Sequence, residues 1–97
     1  LTSREIISRL SGHRDELRGL GVASLALFGS AARDETGPQG DIDLLVEFVR
    51  PVGFFHFHRV QERLAEILGV DRVDLVSKQA VIPELRERIF AEARPCL

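Results

Sequence analysis

Cysteine is almost missing from this 97-residue chain, with Cys96 the only one. A lone, nearly terminal thiol excludes an internal disulfide, speaks against thiol catalysis and fits a reducing cytoplasm. Lysine is as scarce: Lys78 stands alone among the arginines, a balance better read as genome composition than as function. The net charge of -2 gives no case for a protein whose affinity comes from neutralising nucleic-acid phosphates, because that needs clustered Lys and Arg. Long apolar runs are missing too. The stretches Val22 to Phe28 and Leu44 to Val46 are broken well short of the roughly 20 residues of a membrane helix. Arg4, Glu5 and Arg9 interrupt the start, so no secretory leader is expected there. Repeats, linkers and low-complexity segments are absent as well. What is present, 44% hydrophobic and 29% charged residues, is an ordinary globular mixture, and the length suits one domain over residues 1–97.

Thr2-Ser3-Arg4-Glu5 has the spacing of a capping box, and Ile6, Leu10 and Leu17 follow at helical intervals, predicting a helix that ends near Gly19 or Gly21. Val22 to Phe28, between two glycines, reads as a buried strand. Ala31, Ala32 and Arg33 favour helix, but Thr36-Gly37-Pro38-Gln39-Gly40 is a turn cluster, so that helix is short and a loop follows. From Asp41 to Val49, Ile42, Leu44, Val46 and Phe48 alternate with Asp41, Asp43, Leu45 and Glu47, the period of a strand. Phe57, Val60, Leu64, Ile67 and Leu68 mark the buried side of a helix that stops near Gly69. Val73 to Val76 is a third strand. Pro83 opens a last helix in which Ile82, Leu85, Ile89 and Ala93 keep the helical period until Pro95 ends it. The expected fold is α/β in the order αβαβαβα, with a three-stranded mixed sheet and about four helices mainly on one face.

A helical crossover joins the second and third strands, which makes their pairing parallel. Asp41 and Asp43, on one strand face, then begin beside Asp74 at the start of the neighbouring strand. Carboxylates about 4 Å apart repel by about 4 kcal/mol per pair at an effective dielectric near 20. A hard divalent cation offsets this, and Mg²⁺ is commonly held by one or two carboxylates together with substrate phosphates. Gly29-Ser30 adds a place where backbone can approach phosphate at a helix start. Together these features suit phosphoryl or nucleotidyl transfer.

The stretch Leu27-Phe28-Gly29-Ser30, then Ala31 to Gly40, then Asp41-Ile42-Asp43-Leu44-Leu45-Val46-Glu47-Phe48 resembles the signature of the DNA polymerase beta-like nucleotidyltransferase superfamily, and of its minimal nucleotidyltransferase branch in particular. The likeness continues through Pro51-Val52-Gly53, Leu68-Gly69, Val73-Asp74-Leu75-Val76 and Arg86-Glu87-Arg88-Ile89. By this resemblance Gly29 and Ser30 contact a triphosphate, Asp41 and Asp43 bind Mg²⁺, Asp74 is the third carboxylate and metal ligand, and Arg33 touches phosphate. Gly40 departs from the serine that many relatives carry before the first aspartate, which is expected to change the loop and not the metal site. The resemblance further implies an antitoxin that transfers AMP from ATP to a tyrosine hydroxyl of a HEPN-domain toxin, with which it forms a hetero-oligomer in the cytoplasm. Two rivals are a catalytically silent antitoxin that acts by binding alone and a nucleotidyltransferase for a small hydroxylated molecule, which usually needs a further domain.

Other polar residues have plainer readings. Gly29-Ser30 alone is an ordinary strand-to-helix turn, and it is the joint spacing with the aspartates that carries the argument. Glu47 is an ordinary surface or interface carboxylate. His56 and His58, at i, i+2, do not share a helical face and so are not a metal pair. Phe54, Phe55 and Phe57 are expected mostly in the core, with room for one exposed ring to mark an interface.

Overall fold

A computed structural model describes residues 1–35 and 41–97. The expected loop cluster Thr36 to Gly40, with the departure at Gly40, lies outside the described residues. The chain begins with α1 (Ser3–Ser11), whose capping box forms as read: Thr2 Oγ1 accepts from the Glu5 amide at 3.1 Å and Glu5 Oε1 from the Thr2 amide at 3.0 Å. The single helix expected up to Gly19 is instead two. The chain turns at Gly12 and His13, and α2 (Arg14–Gly19) starts afresh. Breaking the helix there lets Ile6, Leu10 and Leu17 all reach one core.

Strand β1 (Val22–Phe28) follows, then a single turn of helix, α3 (Gly29–Ala32). Next come β2 (Ile42–Phe48), α4 (Phe54–Leu68) and β3 (Val73–Ser77). A short 3-10 turn (Lys78–Ala80) leads to α5 (Pro83–Glu92) and a two-residue strand β4 (Arg94–Pro95). The sheet runs β3-β2-β1-β4. The β2–β3 pairing is parallel, as the helical crossover requires, and sets Ile42 beside Val73, Asp43 beside Asp74 and Leu44 beside Leu75. The β1–β2 pairing is antiparallel and brings Phe28 opposite Asp43.

The mixed α/β class is therefore as expected, with a fourth strand added. β4 pairs antiparallel with β1, Ala26 with Pro95 and Leu27 with Arg94, and the Cys96 amide donates to Leu25 O at 2.8 Å. Pro95 lacks an N–H but sits in a strand at the sheet edge, where none is needed. Cys96 is 1% exposed, and burial pushes its thiol up to about 12.

The core is the layer between the sheet and its helices. Ile42, Leu44 and Val46 of β2 point into it and meet Val60, Leu64 and Leu68 of α4. Gly69 closes α4 in the left-handed conformation, φ 69°. The other face of β2 carries Asp43, Leu45 and Glu47, as the alternation predicts. One helix departs from expectation: α5 forms, yet none of its residues is buried, and Ile82 and Leu85 are exposed. None of its apolar side chains is fully covered, so it is not core. No helix among the described residues is long and apolar enough to cross a membrane.

Candidate active site

The end of β1 dictates the site. After Phe28 the chain must turn sharply into α3, and Gly29 makes the turn at φ 72°. A side chain is excluded there for a second reason, since a Cβ on Gly29 would lie 2.5 Å from Asp43 Oδ2. Left-handed backbone and a carboxylate pressed against the turn both demand glycine. The chain then folds back on itself: the amides of Arg33 and Glu35 both donate to Ser30 O, at 3.1 and 2.9 Å. Asp34, at φ 57°, accepts from the Ser3 amide at 2.6 Å and from Ser3 Oγ at 2.9 Å, which ties this turn to the start of α1. Those two hydrogen bonds hold the Asp34 carboxyl below the usual carboxylate range.

Asp43 is the centre of the site. Half-buried on β2, it is held above the usual carboxylate range by burial first, then by the charge of Asp74, a hydrogen bond shared with Asp74 and the charge of Asp41. Asp43 thus feels both of the other aspartates, and the parallel register sets Asp74 beside it. Asp74 is exposed at the start of β3 and open to solvent. Asp41, just before β2, is turned aside: its Oδ2 accepts from Arg72 Nη2 at 3.0 Å. Arg72 is a residue the sequence reading missed. The register could have found it, because pairing Ile42 with Val73 sets the preceding residues, Asp41 and Arg72, at the same level.

Hard oxygen donors and mutually repelling carboxylates are the chemistry that suits Mg²⁺. The fit is of donor type and proximity. Among the described residues no group of three His, Cys, Asp or Glu is already arranged as a metal cage, in keeping with the turn of Asp41 toward Arg72. Arg33 is drawn in the same way to carboxylates. It pairs with Glu35 and Glu92, each at 3.0 Å, and so links the turn after α3 to the end of α5.

The plainer readings fare unevenly. Glu47 meets Ser24 Oγ at 3.3 Å and Lys78 at 3.9 Å, an ordinary surface arrangement. The histidines separate: His56 Nε2 lies 2.6 Å from Leu20 O, and His58 pairs with Glu62 at 2.9 Å. Of the three phenylalanines only Phe57 packs against the core, while Phe54 and Phe55 are exposed, a correction to the expectation that the cluster is mostly core.

This geometry has counterparts. The family model of the nucleotidyltransferase domain matches residues 7–96. The protein adenylyltransferase MntA of Thermococcus cleftensis is 37% identical over 93 residues, covering 95% of this chain and 93% of that protein. A solved chain provisionally assigned as a minimal nucleotidyltransferase superposes with a TM-score of 0.83 at 33% identity, over 98% of this chain and 96% of that one. At the level of fold alone, a toxin-antitoxin crystal structure with AMP-PNP gives a TM-score of 0.71 at 22% identity, over 100% of this chain and 73% of the other. A complex of a tri-AMPylated HEPN toxin with its MNT antitoxin from Shewanella oneidensis gives 0.65 at 20% identity, over 94% and 71%. A glycine turn pressed against an aspartate, that aspartate in parallel register with a second, and these likenesses along nearly the whole chain lead to one assignment: the chain belongs to the nucleotidyltransferase domain family.

Proposed function

We propose that this protein is a Mg²⁺-dependent antitoxin that transfers AMP from ATP to a tyrosine hydroxyl of a HEPN-domain toxin in the cytoplasm. The observation that carries the reading is the Asp43–Asp74 pair beside Gly29, where the sheet gathers negative charge that a divalent cation would balance while it also binds a substrate's phosphates. The relative named protein adenylyltransferase and the fold shared with an antitoxin bound to an AMPylated toxin support it.

In this scheme Gly29 leaves the backbone open to the triphosphate, and Ser30 and Arg33 contact it. Asp41, Asp43 and Asp74 would hold Mg²⁺, which would supply charge neutralisation on the phosphate oxygens. Asp74, the exposed member, accepts the proton of the attacking hydroxyl. The hydroxyl oxygen bonds to the α-phosphorus, the bond from that phosphorus to the bridging oxygen breaks, and pyrophosphate leaves. For Asp41 to join, its contact with Arg72 has to open. An exposed ion pair of this kind is worth no more than about 1 kcal/mol, so opening it is easy. None of these 97 residues is a tyrosine, so the accepting hydroxyl lies outside them.

Separately purified toxin incubated with this protein, Mg²⁺ and ATP is expected to gain mass in AMP units on a tyrosine. The Asp41→Ala, Asp43→Ala double variant is expected to give none. If neither protein adds mass while both silence the toxin, the activity is binding alone, and the proposal fails.

A further inference from the structure

The end of β2 away from the carboxylates carries the most exposed large apolar side chains of the fold. Val49, Phe54 and Phe55 are 65%, 76% and 85% exposed. The rings lie against one another: Phe54 meets Phe55 edge to face at 5.6 Å and stacks on His58 at 6.2 Å. Just before the rings in the chain, residues 49–52 line two hollows of about 300 and 400 Å³. Projecting aromatics next to hollows that take a partner's side chain are what a strong protein contact uses.

Charge decides what covers this surface. Arg50 and Arg59 are exposed, and among the described residues neither joins an ion pair. The first turn of α4 holds no acidic residue, and Gly53 gives it no side-chain cap, so the positive end of the helix dipole also faces this border. The neighbouring Glu62 is already paired with His58 at 2.9 Å, so a second copy docking through the same patch brings two more unpaired arginines and no free carboxylate from this turn of α4. A partner with carboxylates around apolar side chains meets no such conflict.

We infer that Val49, Phe54 and Phe55, bordered by Arg50 and Arg59, are the docking surface for a partner protein that presents an apolar ridge flanked by Asp and Glu. The inference rests on the proposed function only in taking that partner to be the acceptor of AMP. The patch and the carboxylates stand at opposite ends of β2, about 20 Å apart at the rise of a strand. Docking and chemistry are therefore separable by substitution.

The test uses the purified acceptor toxin, calorimetric titration and two forms of this protein, each carrying Asp43→Asn so that no transfer intervenes. One form is otherwise parental, and the other adds Phe54→Ser and Phe55→Ser. The added pair is expected to weaken binding at least tenfold, and Arg59→Glu several-fold with a flatter salt dependence. An unchanged melting temperature shift with Mg²⁺ and ATP, measured on the Phe54→Ser, Phe55→Ser protein without Asp43→Asn, shows that the fold and the nucleotide site survive. Parental affinity in the serine variant overturns the inference, as does absence of any complex with the parental form. A parental homodimer in sedimentation that the serine pair dissolves also overturns it, since the occupant is then a second copy. If binding depends on the patch yet the Asp43 protein adds no AMP, docking stands and the proposed transfer falls. If transfer at limiting acceptor proceeds at full rate with the serine variant, transfer stands and this docking surface falls.

Discussion

At its Ile42 end β2 sets Asp43 beside Asp74 and against the Gly29 turn, while at its Phe48 end it runs into Val49, Arg50 and the exposed rings of Phe54 and Phe55. One strand, bridged by one helix, thus presents carboxylates at one end and an aromatic surface at the other. Both ends are costly to the isolated chain, for different reasons. The first confines like charges that water alone screens poorly, and the second leaves apolar area wet. Neither cost is explained by folding, because Leu44, Val46, Leu64 and Leu68 between them supply an ordinary buried core. Surfaces that oppose stability in this way are where function concentrates.

The comparison breaks most sharply at the carboxylate end. Asp74→Asn keeps the shape but removes the charge and with it the proposed proton acceptor, and is expected to lower AMP transfer about a hundredfold to a thousandfold. Calorimetric affinity for the acceptor should stay at the parental value, since the patch is remote. Loss of both together would mean that the two ends are one surface.

Gly29→Ala is expected to damage the carboxylate end through the backbone. Its Cβ would meet Asp43 Oδ2, and φ 72° is unfavourable for alanine. A cost of about 1–3 kcal/mol, seen as a melting temperature roughly 5 °C or more below the parent, is the expected outcome. A parental melting temperature would show that Asp43 moves aside freely.

The smallest effect has the opposite sign. Asp43 is held above the ordinary value of 3.8, so charging it disfavours the folded state. That penalty is absent below the unfolded value, grows as pH rises and is complete above the folded value. Without Mg²⁺, Asp43→Asn should therefore melt slightly higher than the parent at neutral pH, with the gap closing as pH falls toward 3.8. A gap that widens toward acid would refute the assigned cause.

Much of this architecture could be read in advance because local pattern and tertiary demand agree. The alternation from Ile42 to Phe48 and the crossover to Val73 fix the parallel pairing, and with it the meeting of Asp43 and Asp74. Where pattern and environment part, the reading fails. Ile82, Leu85 and Ile89 have helical spacing, but spacing says nothing of how deeply a face is covered, and none of the three is buried. Phe54 and Phe55 are as apolar as Phe57, and only the direction in which α4 starts decides which rings are covered. β4 has two residues, too few for any period, and exists because an open edge of β1 is available. The Asp41–Arg72 contact joins residues far apart in sequence through a register that must be known first.

The buried thiol of Cys96 has a use of its own. Pushed up to about 12 and 1% exposed, it is almost never a thiolate at neutral pH and almost never within reach of a reagent. Alkylation must wait until the short strand beside it peels from β1, so its rate measures how often that edge opens while the remaining core stays closed.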